Sequence, residues 1–186
     1  MSRTIFLIGP MASGKSAVGA ALALQLGTRM IDTDELVVKE HGTIKDVFAA
    51  GGEPAFRAFE TQALQQAASM GDQLDPTSPP LVIASGGGAV LAPVDREILA
   101  TGYTVYLYID APTVAKRIAG DVVRPLLAGA PNDTTQDPSP LETWQNIFAT
   151  RTHIYEGCAD LTLDVRTQTP EQIAEAIITA YRDAGH

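Results

Sequence analysis

The sequence predicts a single α/β domain of three layers, with a parallel sheet covered by helices on both faces. Five short apolar runs alternate with helical segments from one end of the chain to the other. The first run leads directly into Gly9-Pro10-Met11-Ala12-Ser13-Gly14-Lys15-Ser16, a G-x-x-x-x-G-K-[ST] signature that requires a strand before it and a helix after it. The chain has 186 residues, enough for one domain with a sizeable core, and shows neither an internal repeat nor a second domain.

Each element follows from local pattern. Thr4 to Ile8 reads as the first strand, and Gly14 to about Leu26 as a helix that ends near Gly27. Arg29-Met30-Ile31 is a short second strand running into Asp32-Thr33-Asp34. Glu35 to about His41 is helical and stops at Gly42, and a second piece runs to Ala50 with Thr43 as its N-cap candidate. Gly51-Gly52 breaks the chain. A long helix then starts near Pro54, with Phe56, Phe59, Ala63, Leu64 and Ala67 at helical spacing. Gly71 to Pro80 reads as a loop, Leu81 to Ala84 as a buried strand, Pro93 to Ala100 as a helix and Tyr103 to Ile109 as a strand. Ala111 to Ala119 is helical. Residues 120–140, rich in Pro, Gly, Asp and Thr, read as a long irregular segment, which means either a lid or disorder. Leu141 to Tyr155 is a helix, Leu161 to Val165 the fifth strand, and Pro170 to Tyr181 a final amphipathic helix.

Bulk properties exclude several classes. The net charge of −9, from 22 acidic and 13 basic residues, argues against nucleic acid or an anionic membrane as a partner. No run approaches the ~18–20 apolar residues of a membrane helix. The first strand begins almost at the N-terminus, so no signal or transit peptide is expected. The single cysteine, Cys158, suits a reducing cytoplasm; with no motif around it, it reads as a packed small residue rather than a nucleophile.

The glycine-rich signature carries the chemistry. Its backbone N–H groups and the helix N-terminus form an anion-binding nest. Lys15 adds a mobile cation for the outer phosphates, and Ser16 a hydroxyl for Mg²⁺. The chain is therefore expected to bind a nucleoside triphosphate.

Other residues carry weaker signals. Asp32 and Asp34 lie two apart at a strand end, where ligands of parallel sheets sit; they read either as a metal and hydroxyl-orienting pair or as caps of the next helix. Arg57 has Glu60 one turn on, which fits an exposed ion pair as well as a guanidinium held for an incoming carboxylate. Ser85-Gly86-Gly87-Gly88 permits close backbone approach to a ligand, more glycine than a plain turn needs. Arg124 opens the lid segment and is followed by no Lys or Arg until Arg151, so it reads as a solvated loop residue or as a cation that swings onto phosphate.

In combination these segments resemble the shikimate kinase family. The match runs through the phosphate loop, Asp32-Thr33-Asp34, Ile44-Lys45-Asp46-Val47-Phe48, Gly52-Glu53-Pro54-Ala55-Phe56-Arg57 with Glu60, Gly86-Gly87-Gly88, Arg124-Pro125-Leu126-Leu127 and Arg151. The resemblance implies a three-layer P-loop, nucleoside-monophosphate-kinase-like fold over residues 1–186, with sheet order 2-3-1-4-5. It also implies a lid at about 120–140 and a substrate-binding helical region at about 33–70. It implies phosphoryl transfer from ATP, with Mg²⁺, to the 3-hydroxyl of shikimate, in the cytoplasm and by a monomer.

The resemblance further implies residue roles. Lys15, Asp34 and Arg124 would be catalytic. Gly9, Met11, Ala12, Ser13, Gly14, Lys15, Ser16, Ala17, Arg117, Arg124 and Gln168 would contact nucleotide, with Arg117 stacked on adenine. Asp34, Arg57, Gly86, Gly87, Gly88 and Arg151 would bind the acid, Glu60 would orient Arg57, and Ser16 with Asp32 would hold Mg²⁺. Ala12 departs from the family pattern, where glycine is usual. So does Ala17, where Thr is common after Ser16. The lid is acidic at Asp133, Asp137 and Glu142.

A kinase of another small hydroxy acid such as gluconate is the alternative. A GTP switch would need an Asn-Lys-x-Asp motif, and neither Asn132 nor Asn146 precedes Lys. A non-catalytic nucleotide-binding module would be expected to lack Lys15, Asp34 or Arg124, which are all present.

Overall fold

The computed structural model describes residues 4–75, 77–118 and 138–185. Its elements follow in the order β1 (Thr4–Ile8), α1 (Lys15–Leu26), β2 (Met30–Asp32), α2 (Thr33–His41), α3 (Ile44–Asp72), β3 (Leu81–Ala84), α4 (Pro93–Leu99), β4 (Tyr103–Tyr108), α5 (Ala111–Ile118), α6 (Pro140–Cys158), β5 (Leu161–Asp164) and α7 (Pro170–Asp183). The strands form one sheet in the order β2-β3-β1-β4-β5. Every neighbouring pair is parallel. The three central strands are mostly apolar and buried at every position except Tyr108, the pattern of a sheet packed on both faces.

Alternation along β1 sorts the core into two layers. Ile5 and Leu7 face a cluster with Val18 and Leu22 of α1 and Ile173 and Ile177 of α7. Phe6 and Ile8 face the opposite way, onto Leu64 and Ala67 of α3, Leu99 of α4 and Tyr155 of α6. Helix α6 serves both layers, because its Trp144 belongs to the first cluster and its Tyr155 to the second.

Several boundaries differ by a few residues from the sequence reading, among them the end of α6 at Cys158 and of α7 at Asp183, and two differences have a clear local cause. β2 ends at Asp32, and α2 begins at Thr33 rather than Glu35, because the Asp32 side chain accepts from the Asp34 N–H as the N-cap. α3 continues through Gly71 to Asp72, which shortens the expected loop; Gly71 lies so close to Thr4 of β1 that a β-carbon there would collide with its hydroxyl. The expected break at Gly51-Gly52 is present. Gly52 takes φ 66°, ψ −168° and divides α3 into two helical stretches, with Pro54 in the first turn of the second.

The lid segment, with Arg124, Asp133 and Asp137, lies outside the described residues except for 138–140. There the chain enters α6 through a capping box between Ser139 and Glu142.

Candidate active site

The phosphate loop occupies the gap between β1 and α1, at the carboxyl edge of the sheet. Gly14 takes a left-handed conformation and caps α1 with no side-chain hydrogen bond, so a ligand anion can meet the first-turn N–H groups. Lys15 Nζ donates to the carbonyls of Gly9 (2.8 Å) and Pro10 (3.0 Å). Ala12 has φ 65°, the only positive φ at a non-glycine residue among the described residues. A β-carbon makes that conformation unfavourable by roughly 1–2 kcal/mol, a cost that glycine avoids. Ser13 Oγ is buried with no hydrogen-bond partner among the described residues. Ser16 and Ala17 are exposed at the start of α1.

The two aspartates divide their tasks. Asp32 uses Oδ1 to accept from the Asp34 N–H at 3.0 Å and Oδ2 to accept from the Ser16 hydroxyl at 2.6 Å. The capping reading of Asp32 is therefore realised, and the same side chain also pairs with the loop serine. No cluster of three metal-ligating His, Cys, Asp or Glu exists among the described residues. The Ser16–Asp32 pair supplies two hard oxygens, which fits Mg²⁺, an ion that keeps waters and phosphate oxygens as its other ligands.

Arg57 is held from two sides of its own helix. Its Nε and Nη2 donate to Glu53 Oε1 at 3.1 and 2.8 Å, and Nη1 donates to Glu60 Oε2. Its guanidinium also lies 5.3 Å from the Phe56 ring centroid. Glu60 is only 5% exposed, so the pair is not the solvated one that spacing alone allowed. Burial acts against the charged guanidinium, but the Glu60 and Glu53 carboxylates outweigh it and leave Arg57 raised. Burial raises Glu60 above the usual carboxylate range; Arg57 pulls it back, Asp34 pushes it further up and Arg151 lowers it.

The glycine run fits between these charges. Gly86 donates its N–H to Thr33 Oγ1 at 2.9 Å. A β-carbon on Gly86 would collide with Glu60 and stand 2.7 Å from Asp34 Oδ1; one on Gly88 would collide with Arg57. At Gly87 the nearest atoms would be 3.7 Å away, at Met11 N. The Gly87 carbonyl accepts from Arg151 Nη1 at 3.1 Å and from the Tyr155 hydroxyl at 2.6 Å.

One cavity of about 1000 Å³ brings the two sides together. Its lining includes Lys15, Ser16, Asp32, Asp34, Arg57, Glu60 and Arg151, together with Met11, Ala12, Gly14, Ala17, Gly87 and Gly88. Arg117 lies beyond that lining. Its Nη1 donates to the Ala12 carbonyl (2.7 Å) and its Nη2 to the Val165 carbonyl (3.0 Å). Gln168 is exposed on the segment after Val165. Cys158 is half-buried and burial pushes its thiol up, which agrees with a packed residue.

Sequence reasoning missed four contributors: Thr33, Glu53, Trp144 and Tyr155. Trp144 Nε1 donates to the Met11 carbonyl at 3.0 Å. Residues 144, 148, 151 and 155 share one face of α6, and that spacing, read around Arg151, was the available signal.

The shikimate kinase family model matches residues 11–182. A shikimate kinase of Thermobifida fusca is 37% identical over 180 residues, covering 96% of this chain and 95% of its own length. The solved structure of shikimate kinase from Acinetobacter baumannii in complex with shikimate is 30% identical with a TM-score of 0.84, over 99% of this chain and 95% of that one. A gluconokinase from Sinorhizobium meliloti, at 15% identity and TM-score 0.51 over 98% of this chain and 97% of its own, shares the fold alone.

Proposed function

The chain belongs to the shikimate kinase family, and we propose that its cavity performs that family's reaction, transfer of the γ-phosphoryl group of ATP to the 3-hydroxyl of shikimate. One observation carries the reading. Two guanidinium groups, Arg57 and Arg151, share a cavity with Asp34, Lys15 and the Ser16–Asp32 pair. A small carboxylic acid that also presents a hydroxyl fits that combination of charges.

Arg57 and Arg151 grip the carboxylate of the acid, and the glycine run lets its ring approach the backbone. Glu60 keeps Arg57 extended toward the cavity. Asp34 accepts a hydrogen bond from the 3-hydroxyl and takes its proton as the oxygen attacks the γ-phosphorus. The bond from that phosphorus to the β–γ bridging oxygen breaks, and ADP leaves. Lys15 exchanges the Gly9 and Pro10 carbonyls for phosphate oxygens, and the N–H groups of residues 13–17 hold the rest of the triphosphate. Arg124, outside the described residues, is assigned to the transferring group, and Arg117 and Gln168 to the adenine. Magnesium, when bound at Ser16 and Asp32, neutralises charge on the phosphate oxygens. Little covalent help is needed; alignment and charge supply the rate.

We infer further that the protein acts as a monomer in the cytoplasm. A lone half-buried cysteine supports a reducing compartment, and none of the described helices is long and apolar enough to cross a membrane. Light scattering of the purified protein checks the monomer.

The function is tested by ADP release across a panel of small hydroxy acids. Shikimate is expected to give the highest kcat/KM. A panel in which gluconate outperforms it overturns the assignment.

A further inference from the structure

The four consecutive carbonyls from Gly9 to Ala12 all accept hydrogen bonds from side chains. Lys15 serves the first two, Trp144 the third and Arg117 the fourth. Trp144 lines the same cavity but is given no step in the function proposed above. It hangs from α6, 133 positions from Met11 in sequence, is 1% exposed and stacks on Phe148 with centroids 4.6 Å apart. A buried indole usually finds a partner for its N–H. Here the partner is the carbonyl of the peptide immediately before Ala12.

That position matters because Ala12 holds the left-handed conformation, with φ 65°. The φ and ψ of a residue are the angles between its two flanking peptide planes. The plane before Ala12 is anchored at the Met11 carbonyl by Trp144, and the plane after it at the Ala12 carbonyl by Arg117. Each peptide plane flanking Ala12 is thus tied by one side-chain hydrogen bond, which opposes relaxation of this residue toward negative φ. Arg117 is exposed, whereas Trp144 is enclosed, so the indole is the more permanent of the two.

We propose that Trp144 is a positioning residue for the nucleotide: it holds the Met11–Ala12 peptide so that the loop keeps its phosphate-binding shape with alanine at position 12. The inference rests on the reading of this loop as the ATP site.

Trp144→Phe removes the donor and some buried volume while leaving an aromatic ring to pack on Phe148. Calorimetric titration with ADP is expected to show affinity about 3- to 10-fold weaker, with KM for ATP rising in step and KM for shikimate within about twofold. In an Ala12→Gly background the same substitution is expected to cost less than half as much on a logarithmic scale, because glycine takes this conformation without an anchor. Unchanged ADP affinity, an equal rise in both KM values, or an equal penalty in the two backgrounds overturns the proposal. Should Trp144→Phe fail to fold, the unmodified protein decides. Its lone tryptophan must change emission on saturation with ADP and not with shikimate alone, and an unresponsive emission overturns the proposal. If the protein binds ADP but does not phosphorylate shikimate, the function proposed above fails, while the ADP titrations still decide the role of Trp144.

Discussion

Arg57 and Glu60 form an ion pair one helical turn apart, and it is the glutamate that is buried. The more accessible member of the pair is the half-buried cation, which lines the cavity. Arg57→Ala removes a charge-assisted grip of roughly 1.5–3 kcal/mol on a bound carboxylate. KM for shikimate is therefore expected to rise about 10- to 100-fold, with kcat much less affected and KM for ATP unchanged. Steady-state kinetics with each substrate varied in turn checks the split.

Asp34→Asn is the complementary case. The backbone N–H of residue 34 still bonds Asp32, so α2 keeps its cap. The side chain no longer takes a proton, and kcat is expected to fall by about 100-fold or more while shikimate still binds. Retention of near wild-type kcat refutes the role given to Asp34.

Glu60 makes stability depend on pH in a defined direction. Burial raises its folded-state pKa above the ordinary glutamate value despite Arg57. The folded protein therefore binds the proton more readily than the unfolded chain. The resulting stabilisation is complete below the unfolded value and disappears as pH rises through the folded one. Glu60→Gln cannot titrate. The wild type's Tm advantage over this variant is expected to grow as pH falls from 8 toward 4.5; thermal melts across that range settle the sign.

Gly88→Ala places a methyl group on the Arg57 guanidinium, and Gly87→Ala meets only ordinary contacts. Gly88→Ala is expected to raise KM for shikimate at least about tenfold, and Gly87→Ala by much less. Comparable effects at both positions count against the geometry described for the glycine run.

Much of this architecture was legible in the sequence, for physical reasons. Strands buried on both faces must be apolar throughout, so Ile5 to Ile8 and Leu81 to Ala84 declared themselves. Gly51-Gly52 marked the kink in α3 because Gly52 adopts a positive φ. The end of β2 was harder to place, since an aspartate serves a strand end and a helix cap equally well, and Asp32 is both. Burial of Glu60 could not be read from its spacing to Arg57, which is the same for a solvated pair. Trp144 and Tyr155 were missed because their partners, Met11 and Gly87, are 133 and 68 positions away. A helical face announces that something packs there, not which carbonyl it meets.

Helix α6 touches the loop beneath the donor through Trp144 and the peptide beneath the acceptor through Arg151 and Tyr155. In the function proposed above, the two reactants would therefore both rest on peptides tied to this one helix. Any tilt that improves the seat of one alters the seat of the other, and such thermodynamic linkage is reciprocal. A mimic of the acid should therefore change its potency when nucleotide is present, by the same factor that it changes the nucleotide's own affinity.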